Sequence, residues 1–395
     1  MTTYEKIRGA ISLMTNTPGT PTGYGMQAKH LVEMLTRHQI KTAVLSNYGL
    51  EGSCDKITTK HGTVDHYPKG WTVGSADIAP VWAHDFKQKH PTLKHVGLIL
   101  FDAWLYNNLK WDDPLLIWVP LDHITLPPEV RRFLERPNVT PITMSPHGQR
   151  QLEQIGMEST YIPHVVDMTV MKPTKNMFGM PARKYMGVPD DAFLVSMVAA
   201  NKANGLIHRK AFAEQLLAFS MFHKKYPDSF LYLHTFDAPL LGGFDLKVLL
   251  QAVGLDETSV IVADPYELTV GYSEKALAAI YTASDVLLSA TYGEGFGVPV
   301  IEAQACGTRV IASNWAATQD LVSENSWLVD GQPFWDNAHK AFFQIPLIPS
   351  LVASLELAYQ ADRGVDQVSI DFAKQFQVEK VWGESWLPLF RKVFS

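Results

Sequence analysis

A glycine-rich turn between an apolar strand and a short helix is the feature that most constrains this 395-residue chain. The stretch runs from Thr291 to Gly307 and reads Thr-Tyr-Gly-Glu-Gly-Phe-Gly-Val-Pro-Val-Ile-Glu-Ala-Gln-Ala-Cys-Gly. It follows a strand pattern at residues 285–289. Pro299 suits the first turn of a helix, where a missing N–H costs nothing, and Gly307 suits the left-handed residue that ends one. The pattern predicts a strand–loop–helix unit.

The turn sets two carboxylates, Glu294 and Glu302, eight positions apart. We predict Glu294 in the loop and Glu302 in the first turn of the helix, so that both reach one ligand. Backbone N–H groups and the positive end of a helix bind phosphate, whereas carboxylates accept hydrogen bonds from sugar hydroxyls. The layout predicts a nucleotide-sugar site with the diphosphate on the loop amides. These amides belong to Gly295, Phe296, Gly297 and Val298.

This stretch resembles the signature of the family 4 retaining glycosyltransferases, Glu-Gly-Phe-Gly-x-Pro-x-x-Glu-Ala-x-Ala-Cys-Gly, and matches it throughout. The ordinary alternative is a strand–loop–helix unit with surface glutamates, which does not need three glycines around one acid. The resemblance implies the GT-B fold, and two segments of the first half, Phe101–Trp104 and Val119–His123, resemble bacterial and bacteriophage members. That fold is α/β, with two Rossmann-like doubly wound domains facing across a cleft.

Length and composition are compatible with that expectation. A chain of 395 residues suits two domains, and 46% hydrophobic with 19% charged residues is typical of a folded globular protein. We expect no transmembrane segment, because no run of eighteen apolar residues occurs, and no signal peptide. The two cysteines, Cys54 and Cys306, cannot form a disulfide framework or a zinc site alone, so we expect a cytoplasmic protein. A formal net charge of −6 does not indicate broad attraction to nucleic acid.

Strand and helix patterns alternate along both halves of the chain, which predicts parallel sheets. Predicted strands lie at residues 10–14, 42–46, 95–101, 115–119, 141–144, 192–199, 230–235, 260–262, 285–289 and 309–313. Predicted helices lie at residues 26–35, 211–222, 273–282 and 372–393.

A proline-bracketed segment, Tyr161–Pro173, suits a linker and is similar to the inter-domain segment of the family, with Val165 in place of the usual glycine. We predict an acceptor-side domain at residues 1–165 and a nucleotide-sugar donor domain at residues 166–371. The resemblance implies that a helix at residues 372–395 crosses back onto the first domain.

Three cations, Lys202, Arg209 and Lys210, follow the predicted strand at residues 192–199. Cations at the carboxyl end of a strand can hold a diphosphate and stabilise it as it leaves. The family has an Arg and a Lys in this loop, and Lys210 aligns with the Lys by its spacing to the following helix. The family Arg has no clean match, so Lys202 and Arg209 both stay open. Solvated loop cations are the ordinary alternative, which the clustering disfavours.

A second glycine-rich stretch follows the first strand, with Gly19, Gly23 and Gly25. Its spacing is not that of the dinucleotide fingerprint, which argues against a dehydrogenase. A flexible turn is the ordinary interpretation. The resemblance implies instead that the backbone at Gly23 and Gly25 approaches the donor phosphate and the acceptor, with Tyr24 and Gln27 nearby on the acceptor side.

Asp122 and His123 come just past the predicted strand at residues 115–119. The resemblance implies a His at the end of a first-domain strand that faces the donor sugar, and His123 fits best among the fourteen histidines. A structural histidine is the ordinary alternative. Asp122 would orient His123 or contact the acceptor. Further polar residues that follow apolar stretches and could face the cleft are His84, Asp85 and Asp102.

The donor is expected to be a nucleotide-diphosphate sugar, with a UDP-sugar as the first expectation and no cofactor. In the family, backbone groups in a loop at this place hold the nucleobase, which points to Gly271 and Tyr272. The acceptor stays open between a saccharide, a lipid-linked sugar, a protein and a modified nucleobase. No Asp-x-Asp occurs in the chain, so we predict transfer without a metal ion.

The resemblance implies transfer with retention, and no well-placed nucleophile is evident, so we expect a front-face mechanism. In it the leaving phosphate oxygen takes the proton of the acceptor. Lys210, Arg209 and the helix end near Val298 would offset charge on the diphosphate, Glu294 would hold sugar hydroxyls and Glu302 the ribose.

Other functions fit the same fold. A nucleotide-sugar epimerase would need no acceptor and would release an isomerised sugar, and a phosphorylase would release a sugar phosphate. A non-catalytic sugar-binding protein would bind donor without turnover, although the intact set of Glu294, Glu302 and Lys210 argues against a decayed site.

Overall fold

The computed structural model describes residues 4–203, 207–239 and 242–395, which divide into two compact units. The first unit runs up to Val165 and includes Asn337–Ala341 and Val378–Ser395. The second unit contains Val166–Asp336 and Phe342–Gln377.

Unit 1 is built on a sheet whose strands are β1 (Ala10–Thr15), β2 (Lys41–Ser46), β3 (Asp55–Thr59), β4 (Gly62–Tyr67), β5 (His95–Ile99), β6 (Leu115–Val119), β7 (Val139–Thr143) and β8 (Thr160–Tyr161). The strand order is β3-β4-β2-β1-β5-β6-β7-β8. Neighbouring strands are parallel, apart from the antiparallel pair of β3 and β4 at the edge. The central strands are fully buried apolar runs, as strands covered on both faces by helices must be.

The helices of unit 1 before the boundary are α1 (Gly23–Arg37), α2 (Ala79–Lys89), α3 (Pro128–Leu134) and α4 (Pro146–Glu153). Helix α1 begins at Gly23 rather than at Met26, because the Thr22 hydroxyl accepts from the Gly25 N–H and caps the helix. The second glycine-rich stretch is therefore partly helical, because Gly23, Tyr24 and Gly25 form the first helical turn.

Unit 2 contains a second sheet. The strands of this sheet are β11 (Phe193–Val198), β12 (Ser229–His234), β13 (Val260–Val262), β14 (Val286–Ser289), β15 (Arg309–Ser313) and β16 (Trp327–Val329). Two separate short hairpins are formed by β9 (Asn176–Met177) with β10 (Met180–Pro181), and by β17 (Gly331–Asp336) with β18 (Ala341–Pro346). Strands β13-β12-β11-β14-β15-β16 are ordered as in a doubly wound nucleotide-binding sheet, and each neighbouring pair is parallel.

The helices of unit 2 are α5 (Ala182–Met186), α6 (Phe212–Lys225), α7 (Leu246–Val253), α8 (Pro265–Val270), α9 (Glu274–Ala283), α10 (Val298–Ala305), α11 (Ile348–Gln360) and α12 (Gln367–Ala373). One core cluster joins α6 and α11 to the sheet through Phe219, Leu351 and Val286, all completely buried. The predicted α/β class with Rossmann-like units is thus confirmed.

The C-terminal segment is not the single helix predicted for residues 372–393. An extended residue, Gln377, ends the first helical stretch with ψ near 136°. A second stretch then runs through α13 (Val378–Val381), one π-helical turn (Trp382–Trp386) and α14 (Leu387–Phe394). Within unit 1, Trp382 donates to His38 at 2.9 Å, and the ring of Trp386 packs edge-on against Trp118 with centroids 4.9 Å apart. A hydrogen bond and an aromatic contact therefore hold this stretch against the rest of unit 1.

Candidate functional site

The loops after β11 and β14 meet at the carboxyl edge of the unit 2 sheet. These strands are adjacent and parallel, with Val195 opposite Val286, so both loops leave the sheet at the same edge. The first loop leads into α6 and carries Arg209 and Lys210, and the second leads into α10 and carries Glu294. Ligands in open α/β sheets bind at this edge.

Glu294 joins the two loops through both of its carboxylate oxygens. Lys210 Nζ lies 2.5 Å from Oε1, and Arg209 Nη1 lies 3.0 Å from Oε2. The same guanidinium donates to the Gly293 carbonyl at 2.8 Å, and the Arg209 carbonyl accepts from the Tyr292 N–H at 2.8 Å. The acid and both cations are thus held in one fixed cluster, which we call the Glu294 triad (Arg209, Lys210 and Glu294).

Charge decides the protonation state of the Glu294 triad. Burial alone would raise the pKa of Glu294, but the Arg209 and Lys210 cations outweigh burial and hold that pKa at about 2. Burial lowers the pKa of Lys210, and Glu294 opposes this effect. Two cations against one carboxylate leave one excess positive charge, which a phosphate group entering here can neutralise.

The loop after Glu294 turns sharply into α10. Gly297 has φ +118°, and a Cβ there would lie 3.3 Å from the Thr318 methyl, so the position favours glycine. Phe296 anchors the turn, because its buried ring packs edge-on against Phe376. Pro299 lies in the first turn of α10, as predicted. The first N–H groups of a helix have no intrahelical acceptor, so this end favours an anion.

Glu302 lies one turn further along α10 than predicted, because the helix begins at Val298 and Glu302 is therefore its fifth residue. The Tyr281 hydroxyl donates to Glu302 Oε2 at 3.0 Å. Burial raises the pKa of Glu302 to about 7, although the Tyr281 hydrogen bond lowers it. Glu302 therefore changes charge near neutral pH, in contrast to Glu294.

The two possible matches to the family Arg occupy different environments. Arg209 is part of the Glu294 triad, whereas Lys202 is exposed and acts on the triad through its charge, which lowers the pKa of Lys210. Residues 204–206 of this loop lie outside the described residues. The contacts therefore favour Arg209 for the Arg position.

Gly271 and Tyr272 lie between α8 and α9. Gly271 ends α8 with φ +95° and donates to the Glu267 carbonyl at 2.8 Å. The Tyr272 ring meets His234, the last residue of β12, edge-on at 4.7 Å. This predicted nucleobase segment is therefore adjacent to the carboxyl end of β12, the second strand from one edge of the same sheet.

In unit 1, the structure pairs Asp122 with His123. The Asp122 carboxylate lies 2.7 Å from His123 Nδ1, and the imidazole is almost fully buried. The carbonyl of His123 lies 3.0 Å from His147 Nε2. His339, from the segment that clusters with unit 1, places its ring 5.0 Å from that of His123. Asp122 thus fixes the orientation of the His123 ring.

Tyr24 and Asp102 also come together in unit 1. The Tyr24 hydroxyl lies 3.4 Å from Asp102 Oδ2, and its ring contacts Phe101 at 4.9 Å. A Cβ on Gly25 would lie 2.1 Å from the Thr20 hydroxyl, whereas a Cβ on Gly23 would meet nothing within 4 Å. Gly25 therefore allows the preceding loop to pack on α1, and Gly23 does not have this function.

Gln27 does not have the acceptor-side position predicted for it. Its amide is buried and makes two hydrogen bonds of 2.8 Å, one to the Val165 carbonyl and one from the Val165 N–H. Both functional atoms are used to hold the backbone at the end of unit 1. The side chain of Gln27 has a structural role.

His84 and Asp85 lie inside helix α2, and the expectation that they face a cleft stays a prediction. Asp85 accepts from the Tyr67 hydroxyl at 2.5 Å and pairs with Lys89 at 2.9 Å on an open surface. An apolar stretch precedes them because α2 buries one face, and not because a strand ends there.

Tyr281 is the site residue that the sequence analysis missed. It lies in α9 and is completely buried, and its hydroxyl donates the hydrogen bond that Glu302 accepts. A tyrosine in an apolar helix pattern is normally interpreted as a core residue. Tyr281 also lies 21 residues before Glu302, so no local sequence pattern indicates that the two are in contact.

The chain is similar to known proteins in sequence and in fold. Residues 246–341 match the family described as Glycosyl transferases group 1. A D-inositol 3-phosphate glycosyltransferase from Arthrobacter sp. (strain FB24) is 30% identical over 191 residues, which are 47% of this chain. The match spans 41% of the length of that relative. Within the described residues, no helix is both long and apolar enough to cross a membrane.

Solved structures resemble the whole chain. A sucrose-phosphate synthase from Thermosynechococcus elongatus has a TM-score of 0.74 at 19% identity, over 98% of this chain and 99% of that one. An E. coli structure described as trehalose-6-phosphate bound with UDP-2-fluoro glucose has a TM-score of 0.66 at 12% identity, over 97% and 99%. The GT-B fold predicted from the sequence is confirmed by these structures, and residues 246–341 carry the match to glycosyl transferases group 1.

Proposed function

We propose that this protein is a retaining glycosyltransferase that moves a hexose from a nucleotide-diphosphate sugar to an acceptor hydroxyl. The observation that carries the proposal is the Glu294 triad, an acid with two cations at the carboxyl edge of a doubly wound sheet. A UDP-sugar is the first choice of donor, because one structural neighbour is described as bound with UDP-2-fluoro glucose.

In the proposed reaction, the bond from the anomeric carbon of the hexose to the diphosphate oxygen breaks. A new bond from that carbon to the acceptor oxygen forms on the same face, and the leaving oxygen takes the acceptor proton. The products are a glycoside and a nucleoside diphosphate. Arg209, Lys210 and the N-terminal N–H groups of α10 stabilise the charge that develops on the diphosphate.

The remaining residues position the donor. Glu294 accepts from sugar hydroxyls once phosphate takes over its cations, Glu302 accepts from the ribose, and Gly271 with Tyr272 approaches the nucleobase. In unit 1, the family pattern assigns His123 to the donor sugar, with Asp122 as its orienting partner. Gly23 and Gly25 bring the N-terminus of α1 toward the substrates.

The reaction is proposed to need no metal ion, because two protein cations can supply the charge that a divalent ion would supply. The test is transfer in the presence of EDTA compared with added Mn²⁺ or Mg²⁺. Unchanged rates support the proposal, and loss of activity that a divalent ion restores contradicts it.

The function itself is tested with a panel of UDP-, GDP- and ADP-sugars. A donor that binds raises the melting temperature by mass action, and it is then offered D-inositol 3-phosphate, maltose and lactose as acceptors. Release of nucleoside diphosphate that depends on an acceptor is the expected result. An isomerised sugar, a sugar phosphate, or binding without turnover on any acceptor supports one of the alternative functions.

A further inference from the structure

The side chain of Trp71 is exposed to solvent to an unusual degree for a tryptophan. Its side chain is 99% exposed, and Val73, two residues on, is 71% exposed. Both lie in the loop at residues 68–75, between β4 and α2. A large aromatic side chain usually buries most of its surface, so an apolar tip on a loop indicates a contact surface.

The loop that carries Trp71 is held in place by polar contacts. The Asp77 carboxylate accepts from the Trp71 N–H at 2.9 Å, and from the N–H and hydroxyl of Thr72 at 3.2 and 2.6 Å. The Ser75 hydroxyl donates to the Ser46 carbonyl at 2.8 Å and accepts from the Gly70 N–H at 3.0 Å. The backbone under Trp71 is therefore ordered in advance, which lowers the entropy lost when the ring binds a partner.

The Trp71 loop belongs to the carboxyl edge of the unit 1 sheet, where the loops after β1, β2 and β4 contact one another. Thr17 donates its N–H to the Tyr48 carbonyl at 2.8 Å, and Lys69 donates to the Leu50 carbonyl at 3.0 Å. Tyr48 is itself 57% exposed. Two exposed aromatic rings thus lie in connected loops at the edge of a sheet that binds ligands in proteins of this architecture.

Polar groups without a partner lie at the same edge. The side-chain oxygens Thr15 Oγ1, Asn16 Oδ1 and Asn47 Oδ1 are buried and have no hydrogen-bond donor. Thr15 ends β1, Asn16 follows it, and Asn47 directly follows β2, so all three lie at the carboxyl edge of the unit 1 sheet. Unsatisfied acceptors are rare in native proteins, and water that enters this edge together with a hydroxylated ligand would satisfy them.

We infer that Trp71 stacks on a sugar ring of the acceptor, so that the acceptor is a saccharide. The inference rests on the proposed glycosyl transfer. Exposed aromatic rings and unsatisfied hydrogen-bond acceptors at one edge of a sheet suit a ligand ring with apolar C–H faces and hydroxyl edges. A lipid surface fits less well, because Lys69 is paired with Glu51 at 2.5 Å and the Asp77 carboxylate lies at the base of the loop.

The test is the kinetics of Trp71→Ala with maltose, lactose and D-inositol 3-phosphate as acceptors. The KM for a saccharide acceptor should rise about tenfold, the factor that corresponds to 1.4 kcal/mol, with kcat and donor affinity unchanged. Trp71→Phe keeps an aromatic ring and should recover most of the affinity. Trp335→Ala, which removes a 47% exposed tryptophan from β17 of unit 2, is the matched control and should leave the acceptor KM unchanged.

The failures of the two proposals can be told apart. No turnover of any nucleotide sugar by the wild type counts against the proposed function. Transfer to a saccharide with the same KM in Trp71→Ala overturns the inference, as does transfer to D-inositol 3-phosphate alone. An unchanged saccharide KM together with Trp71-dependent binding to phosphatidylcholine–phosphatidylglycerol vesicles also overturns it, and assigns the loop to a membrane surface.

Discussion

The ammonium group of Lys210 lies 2.5 Å from Oε1 of Glu294, although 84 residues separate them in the chain. The second oxygen of Glu294 takes the Arg209 guanidinium at 3.0 Å. Without ligand, the acid therefore occupies the cations to which we assign the donor diphosphate. Donor binding must then exchange a carboxylate for a phosphate on both cations, and the first two predictions follow from that exchange.

Replacement of Lys210 by Ala should slow transfer strongly. Loss of one group that stabilises developing charge typically costs about 2.7–4 kcal/mol in barrier, or about 100–1000-fold in kcat. Steady-state kinetics with a saturating donor measures the loss. Lys225→Ala, which removes an exposed lysine from the end of α6, is the control. A loss of less than about threefold in Lys210→Ala would refute the assignment.

Replacement of Glu294 by Gln should separate diphosphate binding from transfer. The variant keeps the shape of the side chain but removes the charge that pairs with Arg209 and Lys210. The two cations are then more available, so calorimetry should find that nucleoside diphosphate binds equally or more tightly, while kcat falls. Weaker binding of the diphosphate by Glu294→Gln would contradict the exchange of partners.

The two loops that carry the Glu294 triad could be predicted because both have strong local signals, whereas the pairing of Glu294 with the cations was not predicted. Glycines and a proline around Glu294 define a turn into a helix, and the cations before α6 have a fixed spacing to that helix. Two side chains at the carboxyl ends of adjacent parallel strands then meet. The choice of Arg209 over Lys202 needed coordinates, because residue spacing in a loop of irregular length does not show which side chain reaches Glu294.

Other features of the chain leave no such signal. The pairing of Gln27 with Val165 spans 138 residues and has no local pattern. Strand β3 was not predicted because its residues are exposed or half-buried, so the alternation that marks a half-buried strand is missing. The C-terminal pattern at residues 372–393 is helical on both sides of Gln377. One extended residue does not change the hydrophobic periodicity, so the break between the two helical stretches could not be predicted.

Donor affinity should depend on pH through Glu302. Its pKa is raised to about 7, so the carboxylate is mostly protonated at pH 6 and mostly ionised at pH 8. An ionised acceptor makes a stronger hydrogen bond to a ribose hydroxyl, so affinity should rise as pH rises, by about fivefold if the gain is near 1 kcal/mol. Calorimetry at several pH values measures this, and Glu302→Gln should abolish the dependence.

The raised pKa of Glu302 also predicts that folding stability decreases as pH rises, whereas donor affinity increases. The folded pKa of Glu302 lies above its ordinary value of 4.5, so its contribution is most favourable below pH 4.5 and is lost as pH rises through about 7. The melting temperature of the wild type relative to Glu302→Gln should therefore decrease between pH 5 and pH 8. A flat difference would show that Glu302 does not titrate in this range.

Two glycines in the first turn of α1 should respond differently to alanine. A Cβ at Gly25 would lie 2.1 Å from the Thr20 hydroxyl and 2.6 Å from its carbonyl, and overpacking of this kind costs about 1–3 kcal/mol. Gly23→Ala meets open space and serves as the matched control. In thermal unfolding, the melting temperature of Gly25→Ala should lie well below that of Gly23→Ala. Equal melting temperatures would contradict the packing of Gly25 on Thr20.

The most direct test of the account is ¹H NMR of the products formed from a nucleotide sugar that the protein binds, with maltose, lactose or D-inositol 3-phosphate as acceptor. We predict equal amounts of nucleoside diphosphate and a new glycoside whose anomeric coupling matches that of the donor. A glycoside of inverted configuration, an isomerised nucleotide sugar or a free sugar phosphate would contradict it.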